Sequence, residues 1–78
     1  MDDRQISQLS RLLAYVETHR DFQVYPAPAI MNECRSIVAD RDYWRLRLLC
    51  EQVWTMGCDA SQRLIVRVWK ILGLKVSL

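Results

Sequence analysis

Residues 59–73 read Asp59-Ala60-Ser61-Gln62-Arg63-Leu64-Ile65-Val66-Arg67-Val68-Trp69-Lys70-Ile71-Leu72-Gly73. Leu64, Ile65, Val68, Trp69 and Leu72 recur at the spacing of a single helix face, because residues three and four apart stack on the same side of an α-helix. Asp59, with Gln62 three positions later, resembles a capping box, and Gly73 stops the run. Arg63, Arg67 and Lys70 stand at i, i+4 and i+7, a basic stripe opposite the apolar one. A segment with both stripes predicts a helix that buries one side against other helices and shows the other to a solvent or a partner.

The same periodicity extends towards the N-terminus. Residues 42–56 predict a third helix with Tyr43, Leu46, Leu49, Cys50, Val53 and Met56 on its core face. Asp40 and Asp42 offer N-caps for it, and Gly57 ends it in the left-handed conformation that glycine adopts at least cost. Residues 28–39 predict a second helix with Ile30, Cys34, Ile37 and Val38 inward. Residues 3–19 predict the first, capped by Asp2 or Asp3, with Ile6, Leu9, Leu13 and Val16 as its seam and Leu12 widening it. His19 and Arg20 suit the negative end of its dipole.

Between the first two helices lies Arg20-Asp21-Phe22-Gln23-Val24-Tyr25-Pro26-Ala27-Pro28. Two prolines forbid a continuous helix there, and Pro28 fits the first turn of the next one. Phe22, Val24 and Tyr25 are too apolar for a free linker and are expected to pack back on the core. Leu74-Lys75-Val76-Ser77-Leu78 alternates apolar and polar residues and reads as a short tail lying on the domain. The expectation is an all-α fold: one domain over 1–78, a compact four-helix bundle with a Pro-containing loop between helices 1 and 2 and a short C-terminal tail.

The chain of 78 residues is 51% hydrophobic and 26% charged, which excludes a disordered tail. No apolar run approaches the roughly 18 residues of a bilayer crossing. The N-terminus shows no signal peptide. Cys34, Cys50 and Cys58 are odd in number and unpaired in spacing, which fits a reducing, cytoplasmic setting and buried, apolar use of all three. Only His19 could join them as a metal ligand, and it is distant in sequence, so neither metal nor cofactor is expected. The paired acids Asp2-Asp3 and Asp40-Asp42 fall where helix caps belong. A lone histidine, with no nucleotide-binding glycine loop, leaves no nucleophile–base–orienter set, and the expectation is a protein that is not an enzyme.

Charge is uneven along the chain. Residues 1–40 carry six acids and four bases, and residues 41–78 carry three acids and seven bases, which sum to the net +2. Nine of the eleven bases are Arg, the residue that meets carboxylates with a planar fork and stacks on rings. On the third helix Trp44 and Leu48 stand off the Leu46–Val53 face with Arg45 and Arg47 beside them; the alternative is that the core wraps far enough to take both. Interfaces concentrate Trp, Tyr and Arg. The candidate contact residues are therefore Trp44, Arg45, Leu48, Arg63, Arg67 and Lys70, with Asp21 and Tyr25 from the loop.

Residues 46–72 also have helix-turn-helix form around Gly57. The would-be recognition helix, Leu64 to Leu72, is too apolar to lie on DNA, and nucleic acid is not the expected partner.

The order of elements resembles a family. A first helix, a Phe22-to-Tyr25 link, a second helix with Ile30, Glu33 and Ile37, two further helices, and Gly73-Leu74-Lys75-Val76-Ser77-Leu78 at the end look like the small all-helical immunity proteins of bacterial type VI secretion toxin–immunity pairs, in particular those guarding against NAD(P)-hydrolysing toxins. The chain departs from that pattern at Gly57-Cys58-Asp59, where an acidic link is expected, and in its mild positive charge. The resemblance implies a protein that binds a cognate toxin and occludes its active site, and it carries no individual residue across. The expected partner is thus another protein, with a second copy of the chain as a further candidate. The competing readings are a helix-turn-helix DNA-binding regulator and a phage-encoded inhibitor of a host defence protein.

Overall fold

A computed structural model describes residues 1–74. Four α-helices form: α1 (Asp3–Thr18), α2 (Ala27–Ala39), α3 (Tyr43–Met56) and α4 (Asp59–Ile71), with a single 3-10 turn at Arg20–Phe22 between α1 and α2. α1 packs on α2 and α4, and α3 packs on the same two helices, so the four close into a ring around a shared core. The 3-10 turn lies against α1 and α4. Thus the bundle expected from the sequence is the fold, and the helix boundaries lie within a residue or so of those read from periodicity.

Each start and stop has a local cause. Asp2 caps α1 through a complete capping box: its carboxylate accepts from the Gln5 backbone N–H at 2.8 Å, and the Gln5 side chain accepts from the Asp2 N–H at 3.2 Å. Asp42 caps α3 by accepting from the Arg45 N–H at 3.1 Å. Gly57 ends α3 at φ +72°, where a side chain would be strained. Arg41 takes the left-handed conformation between α2 and α3, and its guanidinium reaches Asp3 at 2.7 Å. Pro28 falls in the first turn of α2, as expected.

The cap expected for α4 does not form. Cys58 is the N-cap, with no side-chain bond to the helix. Asp59 sits one position inside, too far along to close a box. Gln62 instead donates its side-chain amide to the Trp54 carbonyl at 3.0 Å, beside the Gly57 N–H that the same carbonyl accepts at 3.3 Å at the end of α3.

The core takes Leu9, Leu13 and Val16 from α1, Ile30, Met31, Cys34 and Ile37 from α2, Leu46, Cys50 and Val53 from α3, and Leu64, Ile65 and Val68 from α4. Leu74 packs against this core and donates its N–H to the Trp69 carbonyl at 2.9 Å; the rest of the expected tail, 75–78, lies outside the described residues.

Three expectations about burial are corrected. Phe22 is buried, but Val24 and Tyr25 are 63% and 84% exposed. Gln23 anchors its amide on the carbonyls that end α1, including Glu17, and the Ala27 N–H closes a turn onto the Val24 carbonyl. That turn puts Tyr25 at the corner, pointing away from the bundle. Met56 is 59% exposed because it closes the last turn of α3, where no neighbouring element reaches over it. Cys58 is half-buried rather than buried, being the cap residue and not part of a helix face.

Among the described residues Ser61 is the one polar residue buried inside the bundle, and its hydroxyl has no hydrogen-bond partner there. A buried, unsatisfied hydroxyl costs roughly 1–3 kcal/mol. Ser61→Ala is therefore expected to raise stability by about 1 kcal/mol, a Tm increase of about 5 °C for a domain of this size. A lower Tm in thermal denaturation would show that the hydroxyl is satisfied.

Candidate functional site

The outer face of α4 forms one wall of an open groove of about 650 Å³. Arg63, Val66, Arg67 and Lys70 line it from α4, Asp59 and Gln62 close one end, and Trp54 supplies the aromatic wall from α3. The Trp54 indole lies 5.4 Å from that of Trp69, so it stands against a core residue and has little freedom to move aside.

The two arginines are held by rings from elsewhere in the chain. The Arg67 guanidinium lies 5.7 Å from the Tyr15 ring centre and 5.8 Å from that of Phe22, and Arg63 lies 5.9 Å from Phe22. Cation–π contacts at this range contribute about 0.5–1 kcal/mol each when exposed. More important here, they restrict long side chains that otherwise lose freedom on binding. Among the described residues, no carboxylate stands within ion-pair distance of Arg63, Arg67 or Lys70, whereas Arg35, Arg41 and Arg45 each have one. Asp59 shares the groove without pairing to Arg63. The groove thus holds three exposed cations above an apolar wall, none of them ion-paired among the described residues.

The turn at Arg20–Phe22 completes this side of the molecule. Its buried Phe22 is the platform for both arginines, and Asp21 is exposed next to it. The His19 ring stands 5.1 Å from Tyr15 and 5.6 Å from Phe22, and its Nδ1 accepts from the Asp21 N–H at 3.2 Å. His19 therefore acts as a cap for the turn, which fixes Phe22 under the arginines.

The eight residues selected from sequence divide between two surfaces. Arg63, Arg67 and Lys70 share the α4 groove; Asp21 belongs to the turn that supports it, and Tyr25 projects from the corner beyond. Trp44, Arg45 and Leu48 lie on α3 and do not line that groove. Trp44 is 72% exposed and Leu48 54%, so the core does not wrap round to them. Arg47 stacks over Tyr43 and Trp44 at 5.8 and 5.2 Å. Arg45 stands 3.8 Å from Asp40 and, with Leu48, borders a shallow depression of about 150 Å³ against Glu33 of α2.

Sequence reasoning missed Tyr15, Phe22 and Trp54 as parts of the site. Tyr15 falls off the α1 seam and Trp54 beside the α3 core face, both marks of a flanking position. Their meeting with α4 is a tertiary event that no local spacing records.

Among the described residues no three His, Cys, Asp or Glu side chains gather as a metal site, and no helix is long and apolar enough to cross a membrane. Compared with known protein families, curated proteins and solved structures, the chain matches none.

Proposed function

We propose that this chain is a protein-binding inhibitor of the immunity type, which neutralises a toxin or effector domain by covering its active site. The observation that carries this reading is the α4 groove: stiffened arginines, without carboxylate partners among the described residues, beside an indole wall. Interface hot spots are built this way, from Trp, Tyr and Arg anchors with a polar rim. The charges would steer encounter, and the aromatic wall would hold the complex. Trp54 and Val66 in the groove favour a protein contact over nucleic-acid phosphates, which cations alone would serve.

The test is protection. The chain is co-expressed with each candidate toxin domain encoded beside its gene, and survival is scored. Protection is expected, as is its loss in the double variant Arg63→Glu, Arg67→Glu. That variant should weaken complex formation by at least a hundredfold, since each reversed charge at a contact costs more than about 1.4 kcal/mol. Its helical circular dichroism at 10 °C should be retained, with a lower Tm from the lost contacts to Tyr15 and Phe22, because both side chains lie outside the core. Unaltered affinity would remove the α4 surface from the site. Binding to duplex DNA that falls steeply with salt, without protection, would favour a regulator instead.

A further inference from the structure

We infer that the segment received by the α4 groove is an acidic amphipathic helix of the partner, with three carboxylates on one face and a large apolar side chain beside them. This rests on the reading of the chain as a protein-binding inhibitor and adds the chemistry of what it binds.

The argument is one of register and charge. Arg63, Arg67 and Lys70 are four and three residues apart on a continuous helix. At about 1.5 Å rise per residue they place positive charge at steps of roughly 6 and 4.5 Å along one line. A partner helix lying along α4 repeats those steps when its acids are four and three residues apart. Arginine binds a carboxylate through two parallel N–H donors, and here both guanidinium groups are already restrained on Tyr15 and Phe22. Trp54 and Val66 supply the apolar contact that a purely acidic tail would not use. This is the helix-in-groove mode, read through anchors at helical spacing.

Asp59 sets the limit of the pattern. It stands four residues before Arg63 at the end of the same groove. A fourth carboxylate continuing the partner's stripe would face it and be repelled, whereas a lysine there would be attracted. The groove therefore selects a short acidic stripe of three and discriminates against a longer one.

The experiment uses the full chain and helix-stapled peptides carrying a fluorescent label, followed by anisotropy. One peptide bears glutamates at the four-and-three spacing with a leucine beside them. A second has the same composition with its glutamates spread round the helix. A third bears lysines in place of the glutamates. The in-register peptide is expected to bind at least tenfold more tightly than the spread one, and adding a fourth in-line glutamate is expected to weaken it. In the Arg63→Glu, Arg67→Glu protein the preference should invert, the lysine peptide binding at least tenfold better than the glutamate peptide. That inversion shows the variant to be folded and the surface to be the contact. Equal affinity for the in-register and spread peptides would overturn the inference, as would tighter binding of a short DNA duplex. Protection from the toxin without any in-register preference would overturn this inference and leave occlusion standing. In-register binding without protection would leave the groove chemistry standing and remove the immunity reading.

Discussion

Leu46→Ala is expected to leave much of the protein unfolded at 37 °C, whereas Leu48→Ala, two residues along the same helix, is expected to change stability by no more than about 0.5 kcal/mol. Leu46 is fully buried between the helices, and Leu48 is more than half exposed on the outer side of α3. Truncating a buried leucine removes its transfer free energy and leaves a cavity, together about 2–5 kcal/mol. A single core in a domain this small supplies roughly 3–5 kcal/mol in all, so the substitution removes most of the margin. Urea denaturation followed by circular dichroism measures both variants. Similar midpoints for the two would mean that α3 presents a different face to the core. If Leu48 also belongs to a contact surface, its variant would lose partner binding while keeping its unfolding midpoint.

Alkaline pH is expected to destabilise the fold steeply between about pH 9 and 12, through two thiols. Burial pushes the Cys34 thiol up from 9.0 to about 12, with the Glu33 carboxylate adding to it and Arg35 opposing. Burial does the same to Cys50, also to about 12, with smaller contributions from Cys34 and Glu51. Below pH 9 both thiols are protonated whether the chain is folded or not, and their contribution to stability is constant. Above it the unfolded chain releases protons that the folded chain retains, so each further pH unit favours unfolding by about 1.4 kcal/mol per thiol. At pH 10.5 the two together amount to about 4 kcal/mol, comparable with the whole stability of such a domain. Other groups ionise in this range as well. The decisive comparison is therefore the slope of unfolding free energy against pH in the wild type and in Cys34→Ala, Cys50→Ala. The double variant should start less stable and lose stability much more slowly. Parallel slopes would show that the thiols do not face the core.

Much of this architecture was legible in the sequence, and the reason is local. Leu64, Ile65, Val68 and Trp69 fix a helix face by spacing alone, and Gly57 can end α3 because its position needs a left-handed residue. The same logic fails where two local partners compete. Gln62 stands correctly for a capping box with Asp59, yet its amide goes to the Trp54 carbonyl at the end of α3, and Cys58 takes the cap position instead. Tyr25 is apolar enough for the core, yet the turn closed by Ala27 points it outward. Periodicity also separates Trp44 and Leu48 from the core side of α3 but cannot say whether neighbouring helices curl round to meet them. They do not. The α4 groove lay furthest from view. Its charged stripe was visible on α4, but the rings beneath it come from α1 and the turn after it, and only the closure of the bundle brings them there.

That closure has a consequence for when the molecule becomes competent. The stripe belongs to the fourth helix and its supporting rings to the first helix and the turn that follows. A fragment holding α3 and α4 would carry every cation and the Trp54 wall, yet its arginines would swing freely. The restrained stripe therefore exists only in the closed bundle: a chain cut between the first and fourth helices would keep the cations and lose the rings that hold them.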